Sequence, residues 1–294
     1  MALSTSALQK GLLTQFQEGF TTVEADWDKI ATKVPSTARS EDYSWIGSVP
    51  RMRKMEGERA PKQLLDYTYT ITNEEYEASI IVNHADIKDD QTGQYGPRAR
   101  AIGEAVKTFP DELLFLDLIP NGTTNTCYDG QFFFDSDHPI GDSGTTQSNL
   151  GSTALDAAAF QAARTVLRKM KDDQGRPTFN NNMDLLLVIP PELESTAKTI
   201  LEAEIGASGA TNIYANNARI LVNNWLTDTN NWYLFNTAGT IKPFVLQERE
   251  FIPFEYLGED SEMGVMRKKN VFGTYWRGNA GYGLYQKAYA SIVA

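Results

Sequence analysis

The sequence predicts an α+β fold: a long β-hairpin, then a long helix, then a compact α/β unit and a return to long strands. Three observations predict it. Leu65, Tyr67, Tyr69 and Ile71 alternate with Asp66, Thr68 and Thr70, the period of a strand with one covered face. Ile102, Val106, Phe109, Leu113 and Leu116 step by four, three, four and three, a narrow helical stripe. Leu185 to Ile189 (LLLVI) is a short, wholly apolar run between polar residues, the pattern of a strand covered on both faces.

The hairpin runs out from about Trp45 to Glu58, has a tip at Gly57 to Lys62 and returns through Ile71. After a polar turn at Thr72 to Glu75 the alternation resumes with Tyr76, Ala78, Ile80 and Val82. At ~3.3 Å per residue, Leu64 to Thr72 alone reaches roughly 30 Å. A two-stranded ribbon of that length is marginal in water by itself. Its apolar face needs cover, either from its own sheet or from another copy of the chain. The helix, Tyr95 to Leu118, spans roughly 36 Å at ~1.5 Å per residue. Pro110 should kink it or split it in two, and Pro120-Asn121-Gly122 stops it.

Residues 1–44 read as an arm. Leu8, Leu12, Phe16 and Phe20 form a stripe, Trp27 and Ile30 follow, and Pro35 to Asp42 reads as polar linker. Asp86 to Gly96 joins hairpin to helix. Its aspartates lack the alternate spacing and downstream glutamate of a calcium loop, so a turn with helix-entry carboxylates is expected. Asn121 to Ser152 is loop-rich, with one aromatic strand expected at Phe132 to Phe134. Thr153 to Asp156 carries a capping-box-like signal for a helix with Phe160, Ala163, Leu167 and Met170 on its face. After the LLLVI strand, Pro191 opens a helix to about Ile205. Short strands are expected near 219–226, 232–236 and 241–247, then long ones at 251–258 and 263–275. Arg267-Lys268-Lys269 reads as a solvated or intersubunit face.

The chain has 294 residues, 41% of them hydrophobic, enough for one large domain or two smaller ones. No apolar run approaches membrane-spanning length, and MALSTSALQKGLL lacks the features of a signal peptide, so a cytoplasmic product is expected. Net charge is −11, which argues against a dedicated nucleic-acid binder. The charge is uneven. Arg51, Arg53, Lys54, Arg59 and Lys62 make the outgoing strand and tip basic. Asp66, Glu74, Glu75, Glu77, Asp86, Asp89 and Asp90 make the return acidic. These charges could pair across the hairpin or meet complementary patches on a neighbour.

Cys127 is the single cysteine, so no intrachain disulfide forms, and only His84 and His138 could serve it as a base. A half-buried structural thiol is the plainer reading. Asp135, Asp137 and His138 are too few to make a metal site without a second ligand cluster. Gly206-x-x-Gly209 lacks the context of a phosphate loop. No catalytic constellation or cofactor fingerprint stands out.

Several short motifs recur in a telling order. They are Trp45-x-Gly47-x-x-Pro50-x-Met52-Arg53, Gly57-Glu58-Arg59, Tyr76-Glu77 before SIIV, and Asp89-Asp90-x-x-Gly93-x-Tyr95. Further on come Tyr128-Asp129-Gly130-x-x-Phe133-Phe134, His138-Pro139, Leu187-Val188-Ile189-Pro190-Pro191 and Asn279-Ala280-Gly281-Tyr282-Gly283. Each is weak alone, but together they span most of the chain. The sequence resembles the phage Mu-like major head subunit (T protein) family, major capsid proteins of tailed phages with the Hong Kong 97 fold. That resemblance implies an N-terminal arm at 1–44 and an extended hairpin loop at 45–85. It implies a peripheral domain at 86–150 and 250–284, with its spine helix at 95–118, and an axial domain at 151–249 and 285–294. It further implies self-assembly through hexamers and pentamers into an icosahedral virion shell around double-stranded DNA, in a bacterial host's cytoplasm, without sequence-specific binding. Catalysis, cofactors, metals and membrane contact are not expected. A separate scaffolding protein and a portal are expected partners, and a decoration protein is left open.

Trp45, Arg51, Arg53, Lys54, Arg59, Tyr67, Tyr69 and Ile71 are the expected inter-subunit contact residues. Deleting 46–84 should then leave a soluble body that forms no shells. Two other readings stay open: an encapsulin-like compartment shell, and a hydrolase using acidic residues near Asp129 to His138.

Overall fold

The computed structural model describes residues 5–46, 66–88, 91–178, 183–205, 211–258 and 261–293. Helices α1 (Thr5–Thr22) and α2 (Trp27–Ile30) lead into strands β1 (Ala31–Pro35), β2 (Ser40–Ile46), β3 (Asp66–Thr72) and β4 (Glu74–Asn83). Helices α3 (His84–Lys88) and α4 (Tyr95–Asp111) follow, and α4 runs directly into a π-helical segment, Glu112–Leu118. Short strands β5 (His138–Pro139), β6 (Thr146–Gln147) and β7 (Leu150–Gly151) precede α5 (Ala157–Lys169). Then come β8 (Leu185–Ile189), α6 (Glu194–Leu201), β9 (Arg219–Val222) and β10 (Trp232–Asn236). The chain closes with β11 (Phe244–Leu257), α7 (Glu262–Arg267), β12 (Lys269–Tyr282) and β13 (Ala288–Ser291).

Two sheets organise these elements. One has the order β7-β13-β10-β8-β9, and β8, the LLLVI run, lies inside it with every residue buried. Its Leu185, Leu187 and Ile189 pack under α5 and α6 with Phe160, Leu167 and Ile200. Leu186 and Val188 point the other way, into the main core with Phe133, Phe244 and Tyr282. The other sheet has the order β1-β11-β12-β4, with β1 parallel to β11 and the remaining pairs antiparallel. Helix α4 packs over one of its faces, and α1 lies across α4. A separate two-stranded ribbon, β2 with β3, forms the described part of the hairpin.

The α1/α4 contact depends on glycine. A Cβ at Gly103 would run into the carbonyl of Phe16, and one at Gly19 into the carbonyl of Arg100. The two backbones therefore approach closely, with Leu12, Phe16, Tyr95 and Ala99 buried along the seam. The stripe Ile102, Val106 and Phe109 is only half-buried, because the small residues rather than the large ones face α1.

Several expectations change. Pro110 lies inside α4, and one residue after it the α-helix gives way without interruption to the π-segment, where Ile119 N–H bonds the carbonyl of Leu114 five residues back. The wider turn shifts the phase of the stripe, so Leu114 and Phe115 are buried while Leu116 is 39% exposed. Of residues 35–42, only 36–39 link; Pro35 ends β1 and Ser40 to Asp42 begin β2. Phe132 to Phe134 form no strand beyond the single bridge Thr126 to Phe132. Phe133 and Phe134 are core residues on a loop, Phe133 stacking 4.6 Å from Tyr282. Helix α6 stops at Leu201, short of Ile205. The cap of α5 is Asp156, which accepts from Ala159 N at 2.6 Å. The strands expected at 241–247 and 251–258 are one, β11, with register shifts between Glu248 and Glu250 and between Ile252 and Glu255. Pro253 sits in the second shift, where its missing N–H costs no ladder bond.

Candidate assembly surfaces

The hairpin is tied to the body at its base. Strands β2 and β3 pair from Ser40 opposite Thr72 to Ile46 opposite Asp66, which sets Tyr43 against Tyr69 and Trp45 against Tyr67. Ile71 is only 3% exposed and packs on Gly281 of β12, where a Cβ would strike its side chain. Tyr69 is half-buried 6.4 Å from the Tyr282 ring, and its hydroxyl accepts from Tyr282 N at 3.5 Å. These two expected contact residues therefore anchor the hairpin to its own chain; their apolar area is largely covered before any neighbour arrives. Trp45 and Tyr67 are placed by strand register alone. Arg51, Arg53, Lys54 and Arg59 lie outside the described residues, as does the hairpin tip.

Beneath the anchor is a buried polar network. Gln247 of β11 is fully enclosed. Its Oε1 accepts from the Tyr43 hydroxyl at 2.8 Å, and its Nε2 donates to Asn73 Oδ1 at 2.6 Å and to the Ile71 carbonyl at 3.2 Å. Asn73 Nδ2 donates onward to Ser36 Oγ at 2.8 Å and the Ala38 carbonyl at 2.9 Å. Glu41 closes the turn: its carboxylate accepts from Thr37 N at 2.6 Å, Ala38 N at 3.0 Å and Ser36 Oγ at 3.0 Å, which holds its pKa below the usual range. Burial pushes the Tyr43 hydroxyl up to about 12. A side-chain network of this kind fixes direction as well as position, because each amide has one orientation that satisfies its partners.

The N-terminal segment is held by a second device. Asp111, buried at the end of α4, accepts from Trp27 N at 2.6 Å and from Asp26 N at 2.9 Å. Asp26 in turn pairs with Lys29 at 2.5 Å and takes Asn223 Nδ2 at 3.3 Å. Burial pushes the Asp111 carboxyl up to about 6; the two N–H donors oppose this, and the Asp26 and Asp28 charges add to it. Beside the clamp, between α4 and the sheet, lies a cavity of about 350 Å³ walled by Trp27, Tyr76, Phe109, Phe251 and Trp276.

The loop suspected of chemistry is a closed turn. His138 is fully buried, stacked 3.7 Å from the Tyr285 ring, with Nδ1 2.7 Å from Asp129 and Nε2 3.2 Å from Asn149 Oδ1. The Cys127 thiol donates to Asp129 at 3.0 Å, and burial drives its pKa well up, away from the thiolate a nucleophile needs. Burial would raise Asp129 too, but His138, the thiol and Gln131 N–H more than offset it and hold it low. Cys127, Asp129 and His138 are the one group among the described residues with three ligand-type atoms close together, within 4.8 Å of one another. Each of the three is engaged in these hydrogen bonds, and the group knits a loop to β13's approach through Asn149, whose Nδ2 donates to the Phe133 carbonyl at 2.8 Å. Asp135 and Asp137 stand outside it.

The model of the family described as "Mu-like prophage major head subunit gpT" matches residues 5–154, 150–226 and 227–293. The chain belongs to this family. A Mu-like prophage FluMu major head subunit from Haemophilus influenzae is 25% identical over 287 residues, covering 97% of this chain and 71% of that protein. The major capsid protein of Escherichia phage Mu is 36% identical over 137 residues, 47% of this chain and 45% of its own. Among solved structures, the bacteriophage JBD30 procapsid covers 99% of this chain and 77% of its own, with a TM-score of 0.60 and 27% identity. The JBD30 capsid covers 77% of this chain and 100% of its own, with a TM-score of 0.62. The PhiM1 mature capsid, 12% identical with a TM-score of 0.58, shares the fold. As a Mu-like head subunit the chain has the Hong Kong 97 fold and the function of a tailed-phage major capsid protein.

Sequence reasoning found the hairpin but missed both ties at its foot and at the arm. Gln247 opens the polar run Gln247 to Glu250 of β11, which hides that it alone is fully enclosed, and Asp111 lies 85 residues from its partner Asp26.

Proposed function

We propose that the chain assembles through hexamers and pentamers into an icosahedral shell around double-stranded DNA, in the cytoplasm of a bacterial host. The four-stranded sheet with α4 serves as the peripheral domain and the five-stranded sheet as the axial domain. Residues 1–44 serve as the arm, and the hairpin reaches over a neighbouring copy. The observation that carries this reading is the β2/β3 ribbon: it is fixed at its base by Gln247 and joins neither sheet. The basic residues Arg51, Arg53, Lys54 and Arg59, with Trp45 and Tyr67, are the hairpin positions proposed to meet the neighbour. Tyr69 and Ile71 hold the hairpin's angle instead. A separate scaffolding protein and a portal complete the assembly. A relative, the JBD30 capsid, is decorated with minor capsid protein trimers, and we extend that class of partner to this chain. The acidic balance of −11 suits a lumen that does not grip DNA.

We assign the chain no catalytic role, since the protonated thiol and enclosed imidazole of the Cys127–His138 turn favour a structural part. Negative-stain electron microscopy with sedimentation velocity tests the assembly. Closed shells, or rings that close when scaffold is added, are expected. A monomer that stays monomeric with scaffold present would overturn the reading.

A further inference from the structure

Asn149 decides how His138 presents its ring. Its Oδ1 accepts from Asp135 N at 2.8 Å, and its Nδ2 donates to the Phe133 carbonyl at 2.8 Å and the Tyr285 carbonyl at 3.4 Å. The amide therefore has one orientation, with its oxygen toward Nε2 of His138 at 3.2 Å. Nε2 carries a proton to meet that oxygen, which leaves Nδ1 as the coordinating atom. Nδ1 points at Asp129 Oδ2, 2.7 Å away. The other Asp129 oxygen, Oδ1, lies 3.0 Å from the Cys127 sulfur. A ring whose far nitrogen is held by a hydrogen bond is the arrangement that aims an imidazole at a metal ion.

Two turns bring the three groups together. Cys127 and Asp129 lie on a tight turn closed by Cys127 N to the Gln131 carbonyl at 2.8 Å, with Gly130 at φ 86°. Gln131 N also donates to Asp129 Oδ1 at 3.1 Å. His138 comes from β5, opposite Gln147 of β6. In sequence His138 neighbours Asp135 and Asp137 and lacks a second ligand cluster; the fold supplies one from Cys127 and Asp129. The three ligand atoms lie within 4.8 Å of one another. Cys127 and His138 are buried, and the Asp129 side chain is 3% exposed.

The donor set identifies the ion. A thiolate with an imidazole favours zinc over calcium or magnesium, which take oxygen shells. One thiolate and one carboxylate balance a divalent charge, so the enclosed site stays neutral. Asp129 turns one oxygen to each partner and can fill two of four positions, which closes the site without water. We propose that Cys127, Asp129 and His138 form a structural zinc site. Donors from separate residues stand roughly 3.3–3.7 Å apart around tetrahedral zinc, so the two hydrogen-bonded pairs open by less than about 1 Å to admit it. The ion replaces the thiol proton and the proton between Asp129 and Nδ1, and both protons leave to solvent. The site lies beside the passage from β12 to β13, where the chain leaves the four-stranded sheet for the five-stranded one. His138 stacks there on Tyr285, and the Tyr128 hydroxyl bonds Gln286. Zinc at this point braces the junction of the two sheets.

The untagged full-length chain tests this, produced with zinc or cobalt(II) in the growth medium so that the ion is present as the chain folds. Plasma mass spectrometry after gel filtration should find one zinc per chain. The cobalt form should show a thiolate-to-metal charge-transfer band, which Cys127, the single cysteine, alone can give. Cys127→Ser keeps a hydroxyl donor for Asp129, so the metal-free fold survives. Its zinc content should fall at least tenfold, and the cobalt band should vanish. Zinc should raise the wild-type melting temperature and leave that of Cys127→Ser unchanged. A wild-type chain without bound zinc overturns the site. So does cobalt bound without the band, or equal zinc in the two proteins, either of which marks an adventitious ion only. A wild-type melting temperature indifferent to zinc overturns the structural role. None of these readouts depends on shell formation, so the site stands or falls apart from the capsid reading.

Discussion

The two sheets of this molecule are covered to very different degrees. In the five-stranded sheet, β8, β10 and β13 are buried at every residue, one face under α5 and α6 and the other in the main core. In the four-stranded sheet, β4 and β12 alternate between covered and open positions along most of their length. The first sheet is complete within one chain. On the side away from α4 the second is covered by the hairpin's base only near Gly281, which leaves the Ile81 and Leu257 end and the ribbon for something else to meet. Folding and assembly are thus divided between the two, and substitutions in each should report on different processes.

The sharpest way to separate those processes is to remove the hairpin alone. Ile46 and Asp66 are register partners, so an Asn-Gly turn can replace residues 47–65 and close the ribbon. This is a cleaner cut than 46–84, which would also take β4 out of the sheet. Shell formation should be abolished while the melting temperature moves by only a few degrees. Normal particles from this variant would break the division.

Point substitutions should divide the same way. Leu187→Ala opens a cavity between β8 and the helices above it and should cost roughly 2–5 kcal/mol in urea unfolding. Ile81→Ala, on the open face, should cost less than about 0.5 kcal/mol. Similar losses at both positions would mean that the four-stranded sheet is covered within the chain after all. Gln247→Leu is intermediate. It keeps the volume but removes the hydrogen bonds to the Tyr43 hydroxyl and the Asn73 side-chain oxygen, and should cost on the order of 2 kcal/mol. Because those groups set the hairpin's exit, limited proteolysis should quicken within 40–72 before it does in the body. Uniform digestion would argue that the network only stabilises and does not aim.

What the sequence revealed and what it hid follow from the range of each interaction. β8 was legible because burial on both faces leaves an unbroken apolar run. The hairpin return was legible because alternation survives in Leu65 to Ile71. Alternation, however, says that a face is covered and not by what; Ile71 proved to lie on its own Gly281. The crossing of α1 and α4 was hidden because Gly19 and Gly103 leave no periodic mark. Phe132 to Phe134 misled for a related reason: Phe133 and Phe134 fill the core from a loop, and composition cannot tell a loop from a strand. The closed Cys127–Asp129–His138 turn had all its residues in view, but their mutual bonding is a matter of geometry that spacing does not encode.

The smallest expected effect concerns the clamp on the arm. With a folded pKa of about 6 against an ordinary 3.8, Asp111 binds its proton more tightly folded than unfolded. Its contribution to stability is therefore fully present below pH ~4 and declines as pH rises through 6, the reverse of a salt-bridged carboxylate. Burial sets the sign against the two N–H donors, and the Asp26 and Asp28 charges add to it; Lys29 is engaged with Asp26, and Asn223 brings only an amide. Asp111→Asn keeps an acceptor for the Asp26 and Trp27 N–H groups and removes the buried charge. Melting temperatures of variant and wild type should converge near pH 4.5 and separate by pH 7.5, with the variant higher. The reverse order at pH 7.5 would mean that the two N–H donors outweigh burial, and that the arm is held by an ionised carboxylate rather than in spite of one.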